Sequence, residues 1–350
     1  MINQAKLITQ LDTYANHLVN HINTLGYVPE FITGNDISTI DKTRLLCQTR
    51  SIFFLIDYAA IKHDSHYVNL ANKLANVVIE NYFCKDKNRF YQYPNNVLEQ
   101  NTPNDKMLYE LAFVICSFAK LYAVTNDKTL LDFIYKTKDY VFANYYSHDE
   151  QFAKMFNPST GVNQNSFMHL FEALLEVNTV ITDDALLNDF QLYGQNLLNT
   201  IYDKQHNLIR ENSLVETFEP GHSFEWASLI LEAKEKNLLN TDIDYSNVVH
   251  NSEKIGVNSQ NLVYAEVSPS KTPSAEAFRI WPLLEQIRYY AMVKEQLKLE
   301  KSLDTLLAVF FSNEKLPYEY VNDKLEPQQT KVKSTTGYHI INCYKYILSQ

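Results

Sequence analysis

The stretches Asn88-Arg89-Phe90-Tyr91 and Asn207-Leu208-Ile209-Arg210 read as short extended segments, each parting one pair of amphipathic helical stretches from the next. Gly26-Tyr27-Val28-Pro29, Glu150-Gln151-Phe152-Ala153, Asn261-Leu262-Val263-Tyr264 and Lys315-Leu316-Pro317-Tyr318 bring the set to six, spaced about a sixth of the 350 residues apart. Between them an apolar period of 3.6 predicts twelve helices, near residues 3-24, 41-62, 65-83, 104-125, 127-146, 165-178, 182-201, 221-236, 244-257, 273-297, 300-311 and 334-348. Two helices cannot bury an apolar face alone, whereas six pairs can close into concentric rings. The expected fold is all-α, an (α/α)6 barrel of six helix hairpins with short extended segments between repeats, and residues 1-350 form one domain.

Composition removes several classes of function. The chain has only seven glycines, and neither G-x-G-x-x-G nor G-x-x-x-x-G-K-[ST] occurs, so no loop signals a nucleotide phosphate and no cofactor is expected. A net charge of -10 and a pI near 5.5 argue against nucleic acid, whose backbone is bound by clustered Lys and Arg. Cys47, Cys84, Cys116 and Cys343 are spread without zinc-like spacing. The amino terminus lacks a signal-peptide core, and the apolar run from Leu108 to Val124 is broken by Lys120, so a cytoplasmic protein with no membrane partner is expected. A neutral small molecule fits this charge best.

The unusual polar residues fall on the even-numbered helices. Arg50 lies in the second, Tyr109 in the fourth, Asn165 and His169 in the sixth, His222 and Glu225 in the eighth, Trp281 and Glu285 in the tenth, and His339 in the twelfth. If those helices form the inner ring, the side chains can share one cavity. His17, His63, His66, His148, His206 and His250 are read as structural, since an isolated helical histidine is usually a satisfied one. His169, His222 and His339 instead sit near helix starts, with Pro220 as a first-turn proline, Asn163 or Asn165 capping the sixth helix and Ser334 or Thr335 capping the twelfth. A helix N-terminus disfavours imidazolium, so neutral rings are expected there. Glu172 and Glu225 follow a histidine by three residues; H-x-x-E pairs can ligate metals, but too few carboxylates converge, and no metal is expected. Trp281 offers a flat apolar face, and the polar set around it suits the hydroxyls of a sugar.

These motifs resemble the N-acylglucosamine 2-epimerase family, which includes mannose isomerases, aldose-ketose isomerases and cellobiose 2-epimerases. The resemblance runs from about Arg44 to His339 and rests on Glu219-Pro220-Gly221-His222-Ser223-Phe224-Glu225-Trp226, Met168-His169-Leu170-Phe171-Glu172-Ala173, Tyr109-Glu110-Leu111-Ala112-Phe113, and Arg279-Ile280-Trp281-Pro282 with Glu285. It implies metal-free catalysis by His222 and His339, and sugar contacts from Arg50, Asn165, His169, Glu225, Trp281 and Glu285, to which the inner-ring reading adds Tyr109. A single Trp in Arg-x-Trp-Pro looks like the mannose-isomerase branch, where the epimerases tend to carry Trp-Trp-Pro. Similar proteins are often dimers, so a homodimer is one expected assembly.

Isomerisation of mannose to fructose and 2-epimerisation share a first step, loss of the C2 proton to give an enediolate. Imidazole, with a reference pKa of about 6.5, suits that exchange near neutrality. The expected roles are His339 as base at C2, His222 assisting ring opening and proton return, and Arg50 stabilising oxyanion charge. The alternatives are a 2-epimerase with the same histidines, a glycoside hydrolase with two carboxylates flanking the bond, and a non-catalytic binding protein.

Overall fold

Two kinds of helix alternate along the chain, distinguished by how much of their circumference is apolar. The computed structural model describes residues 2–34, 37–94, 104–268, 277–312 and 316–350. In chain order its helices are α1 (Gln4–Leu25), α2 (Leu45–Lys62), α3 (His66–Tyr82), α4 (Asp105–Thr125), α5 (Lys128–Asn144), α6 (Gln164–Val180), α7 (Asp184–Ile201), α8 (Pro220–Glu235), α9 (Tyr245–Gly256), α10 (Ile280–Val293), α11 (Gln296–Thr305) and α12 (Gly337–Leu348). α7 buries one stripe, Leu186, Phe190, Tyr193, Leu197, Leu198 and Ile201, the pattern of a helix lying on a core. α2 is instead buried almost continuously from Leu45 to Ala59, and α8 from Pro220 to Leu231, which only an enclosed position satisfies.

Packing follows from that difference. α2 packs on α4, α4 on α6, α6 on α8, α8 on α10 and α10 on α12, and α12 returns to α2. Outside them α3, α5, α7, α9 and α11 each lie against the inner helix just before them, while α1 covers α12 and α2. The fold is therefore an (α/α)6 barrel. α4 is long and apolar enough to cross a membrane by composition, yet 72% of its most apolar window is buried; a place in the inner ring accounts for that hydrophobicity.

The ring is sealed between its two ends. Ile32 N–H donates to the Val332 carbonyl at 2.9 Å, and Ser334 N–H to that of Glu30 at 2.9 Å. The expected cap of α12 by the Ser334 or Thr335 side chain is absent: the N-cap residue is Thr336, whose side chain makes no capping bond, and instead Tyr14 of α1 reaches in, its hydroxyl accepting from Gly337 N–H at 2.9 Å. A Cβ on Gly337 would lie 2.4 Å from the Tyr14 ring, so this seam requires glycine. Asn163 does cap α6, and Pro220 does open α8.

The extended segments differ in kind. Two are strands of small antiparallel hairpins: β1 (Phe83–Cys84) pairs with β2 (Arg89–Phe90), and β3 (Tyr202–Asp203) with β4 (Leu208–Ile209). Those at Gln151 and Val263 make single bridges, to Ser147 and Val257. Lys315 lies outside the described residues, and the strand in that repeat comes later, β6 (Tyr320–Asn322) pairing with β5 (Ala277–Arg279). That pairing also corrects the helix expected over 273-297. Residues 273–276 lie outside the described ones, 277–279 are held in the β5–β6 ladder, and α10 begins at Ile280. Pro282 thus falls in a first turn, where its missing N–H breaks no helical bond.

Candidate active site

Each outer helix carries the chain back, so every inner helix starts at the same rim. There Arg50, Tyr109, Asn165, His169, His222, Glu225, Trp281 and His339 surround one cavity of about 190 Å³, joined by Glu219 and Arg279. Among the predicted site residues Glu285 alone does not line it; fully buried behind His339, its Oε1 lies 2.6 Å from that ring's Nδ1. Trp281 lies beside both key imidazoles, its ring centroid 4.9 Å from that of His222 and 5.6 Å from that of His339. Side chains 117 residues apart in the chain thus adjoin one indole.

The two rings are electrically unlike. Burial lowers the pKa of His339, and the cations Arg50 and Arg279 lower it further, so it is held well below the ordinary histidine value. Burial lowers His222 too, but the carboxylates of Glu211 and Glu219 outweigh this and push it up to about 9. Both oxygens of Glu211 lie 3.0 Å from His222 Nδ1, and Glu219 Oε2 lies 3.4 Å away. The expectation of two neutral imidazoles therefore fails for His222. A helix N-terminus acts with about half a unit charge, whereas two carboxylates bring full ones. His169, lowered to about 4 chiefly by burial, is neutral; its Nδ1 lies 3.0 Å from Glu172 Oε2.

Arg50 is clamped between the rings of Phe113 and Tyr338, at 4.3 and 4.5 Å from their centroids, and its Nη2 donates to the Tyr109 hydroxyl at 2.5 Å. Burial, with Glu285 and Glu172 close by, holds the Glu225 carboxyl well above the usual range, so it stands as a neutral acid with an O–H to donate. Arg50 Nε, Asn165 Oδ1 and Glu225 Oε2 are buried and make no hydrogen bond within the protein. Such atoms cost roughly 1–3 kcal/mol each when left unpaired, and here they converge on one cavity, which therefore favours a ligand rich in hydroxyls.

A search of curated proteins finds no match to the chain, but residues 42–343 match the model of the family described as N-acylglucosamine 2-epimerase (GlcNAc 2-epimerase). The chain belongs to the N-acylglucosamine 2-epimerase family. Solved structures agree in fold. A D-mannose isomerase superposes with a TM-score of 0.79 at 15% identity, covering 99% of this chain and 98% of its own. The cellobiose 2-epimerase of Bacillus thermoamylovorans B4167 gives 0.75 at 16%, covering 97% and 98%. The GH76A alpha-1,6-mannanase of Salegentibacter sp. HEL1_6 gives 0.60 at 12%, covering 97% and 100%. The chain is thus an enzyme of a sugar epimerase and isomerase family.

Three groups at the site of this family member bring potential metal-ligand atoms within 4.8 Å of one another: His169 with Glu172 and Glu225, Glu225 with Glu285 and His339, and Glu211 with Glu219 and His222. Several of their atoms are already engaged, Glu225 Oε2 excepted. Glu172 accepts from the Tyr338 hydroxyl, and Glu285 from Arg288 Nη1 at 3.3 Å, so a cation would have to displace buried partners and sit near Arg50 and Arg288.

Sequence reading missed Glu211 and Arg279 as site residues. Glu211 lies in the loop after β4, and no helical period links it to a histidine 11 residues later. Glu219, at i-3 from His222, was detectable by spacing. Among the histidines read as structural, His148 and His206 are held by Asp189 and Asp203, each at 3.1 Å.

Proposed function

We propose that this enzyme is an aldose-ketose isomerase acting on a free monosaccharide, interconverting mannose, or a closely related aldose, with its ketose through an enediolate. The observation that carries this reading is the placement of two imidazoles in one cavity beside one indole, His222 with the carboxylates of Glu211 and Glu219 against its Nδ1 and His339 near the cations Arg50 and Arg279. A neutral His339 can take the C2 proton, while a charged His222 gives a proton to the carbonyl oxygen. The C2–H electron pair becomes the C1=C2 bond of the enediol. His339 then returns its proton to C1, the C2 hydroxyl surrenders its proton to His222, and C2 becomes the carbonyl. Arg50 stabilises negative charge on the oxygens, and Trp281 presents a face to the C–H side of the sugar.

A volume of about 190 Å³ is below the roughly 300–1,000 Å³ of sites for drug-sized ligands and supports one sugar ring rather than two. The single Trp before Pro282 supports isomerase over epimerase. Incubation of the enzyme with mannose in deuterated water tests both points: fructose with deuterium uptake is expected, glucose would make it a 2-epimerase, and both His222→Asn and His339→Asn abolish exchange. Exchange surviving in either variant overturns the two-histidine chemistry.

A further inference from the structure

The charged histidine is held from behind by groups that never reach the cavity. Trp226, Gln164, Glu211 and His222 form one buried chain of hydrogen bonds, with exposures of 0%, 0%, 6% and 5%. Trp226 Nε1 donates to Gln164 Oε1 at 2.7 Å. An indole N–H can only donate, so the Gln164 amide has one orientation, its NH2 toward Glu211. That NH2 donates to both Glu211 oxygens at 3.1 Å, and Glu219 N–H adds a third donor at 3.4 Å. Gln164 N–H also donates to the Glu211 carbonyl at 2.9 Å, tying the loop to the start of α6.

The Gln164 amide and the Glu219 N–H both donate to Glu211, so its carboxylate is an acceptor, and His222 Nδ1 carries a hydrogen toward it. We propose that Trp226, Gln164 and Glu211 are positioning residues that set the tautomer and charge of His222, leaving Nε2 as the nitrogen that exchanges a proton with substrate. The chain begins and ends on α8, since Trp226 lies one turn beyond His222, and detours through α6 and the loop after β4. The other charged or titratable groups facing His222 are Glu219 and Glu225 on its own helix and its cap, His169 from α6, Arg279 near Glu219, and His339, which lines the same cavity. Of these, Glu219 also reaches Nδ1, its Oε2 at 3.4 Å against 3.0 Å for the Glu211 oxygens.

The inference rests on the isomerase reading for its consequence but not for its test. Nitrogen-15 histidine spectra of the intact chain, with His222 assigned by its loss in His222→Asn, read tautomer and titration without any substrate. The expected result is a Nδ1–H ring that stays charged to about pH 9. Glu211→Gln lowers that midpoint by about one pH unit or more. A neutral Nε2–H tautomer, or an unchanged midpoint in Glu211→Gln, overturns the proposal. Should Glu211→Gln not fold, Trp226→Phe serves instead: it frees the Gln164 amide to turn, and mixed tautomers are expected where a single one refutes the relay.

In turnover, Glu211→Gln lowers kcat about 10²-fold or more with KM little changed, and pulls the alkaline limb of the rate to lower pH. Glu211→Asp restores part of both, which a merely structural residue would not do. Spectra as expected with no sugar turned over would sink the isomerase reading and leave the relay standing.

Discussion

Gly221→Ala puts one methyl group where the fold brings α8 and α10 together. A Cβ at Gly221 would lie 2.7 and 2.8 Å from the Cη2 and Cζ3 atoms of Trp281, and 2.8 Å from the Pro282 Cβ. Carbon atoms pack at about 3.5–4.0 Å, so the indole must retreat by nearly 1 Å, and the proline ring, fixed to the backbone, cannot share the movement. Overpacking of this kind costs about 1–3 kcal/mol, while the gain in helix propensity is at most about 1 kcal/mol, so net destabilisation is expected. The larger effect is on rate. Trp281 adjoins both His222 and His339, and a misplacement near 1 Å at a reacting centre is worth about 10²-fold. Deuterium exchange at C2 of mannose, with thermal denaturation in parallel, measures both. A variant that melts and exchanges like the wild type would refute the view that Gly221 is there to admit the indole.

Two further outcomes follow from the buried charges. Glu285→Gln leaves Arg288, 2% exposed, with Glu232 at 3.7 Å as its one carboxylate partner among the described residues; a loss of about 3 kcal/mol in denaturant unfolding is expected, and equal stability would show that the pair is dispensable. Burial opposes the charge on Glu232, but Lys345, Lys236 and Arg288 hold its pKa down to about 2, so its contribution is whole above the ordinary carboxylate value and is lost as pH falls toward 2. Glu232→Gln removes about 3 kcal/mol of that acid dependence, read from urea midpoints between about pH 6 and pH 2, and parallel curves for the two proteins would contradict it.

The spacing of the extended segments and the existence of twelve helical stretches were legible from the residues alone, because both follow from short-range periodicity; that alternate helices are buried all round was not. Legible too was the parity of the unusual side chains: Arg50, His169, His222, Trp281 and His339 had to share a rim once the even helices were inside. Pairing across the barrel was not legible. The chain does not say that Arg279 belongs to a strand laid against Tyr320, nor that Tyr14 replaces a cap on α12, since both depend on how distant ends meet at closure. The protonation of His222 is the sharpest case. Its place in a first turn argues for a neutral ring, and the folded loop after β4, which sets Glu211 against Nδ1 alongside the local Glu219, decides otherwise. Local pattern determines where a helix starts and which face is apolar; charge in a buried site is determined by whichever group lies within a few ångströms, and at His222 the largest such influence, Glu211, is supplied by tertiary contact.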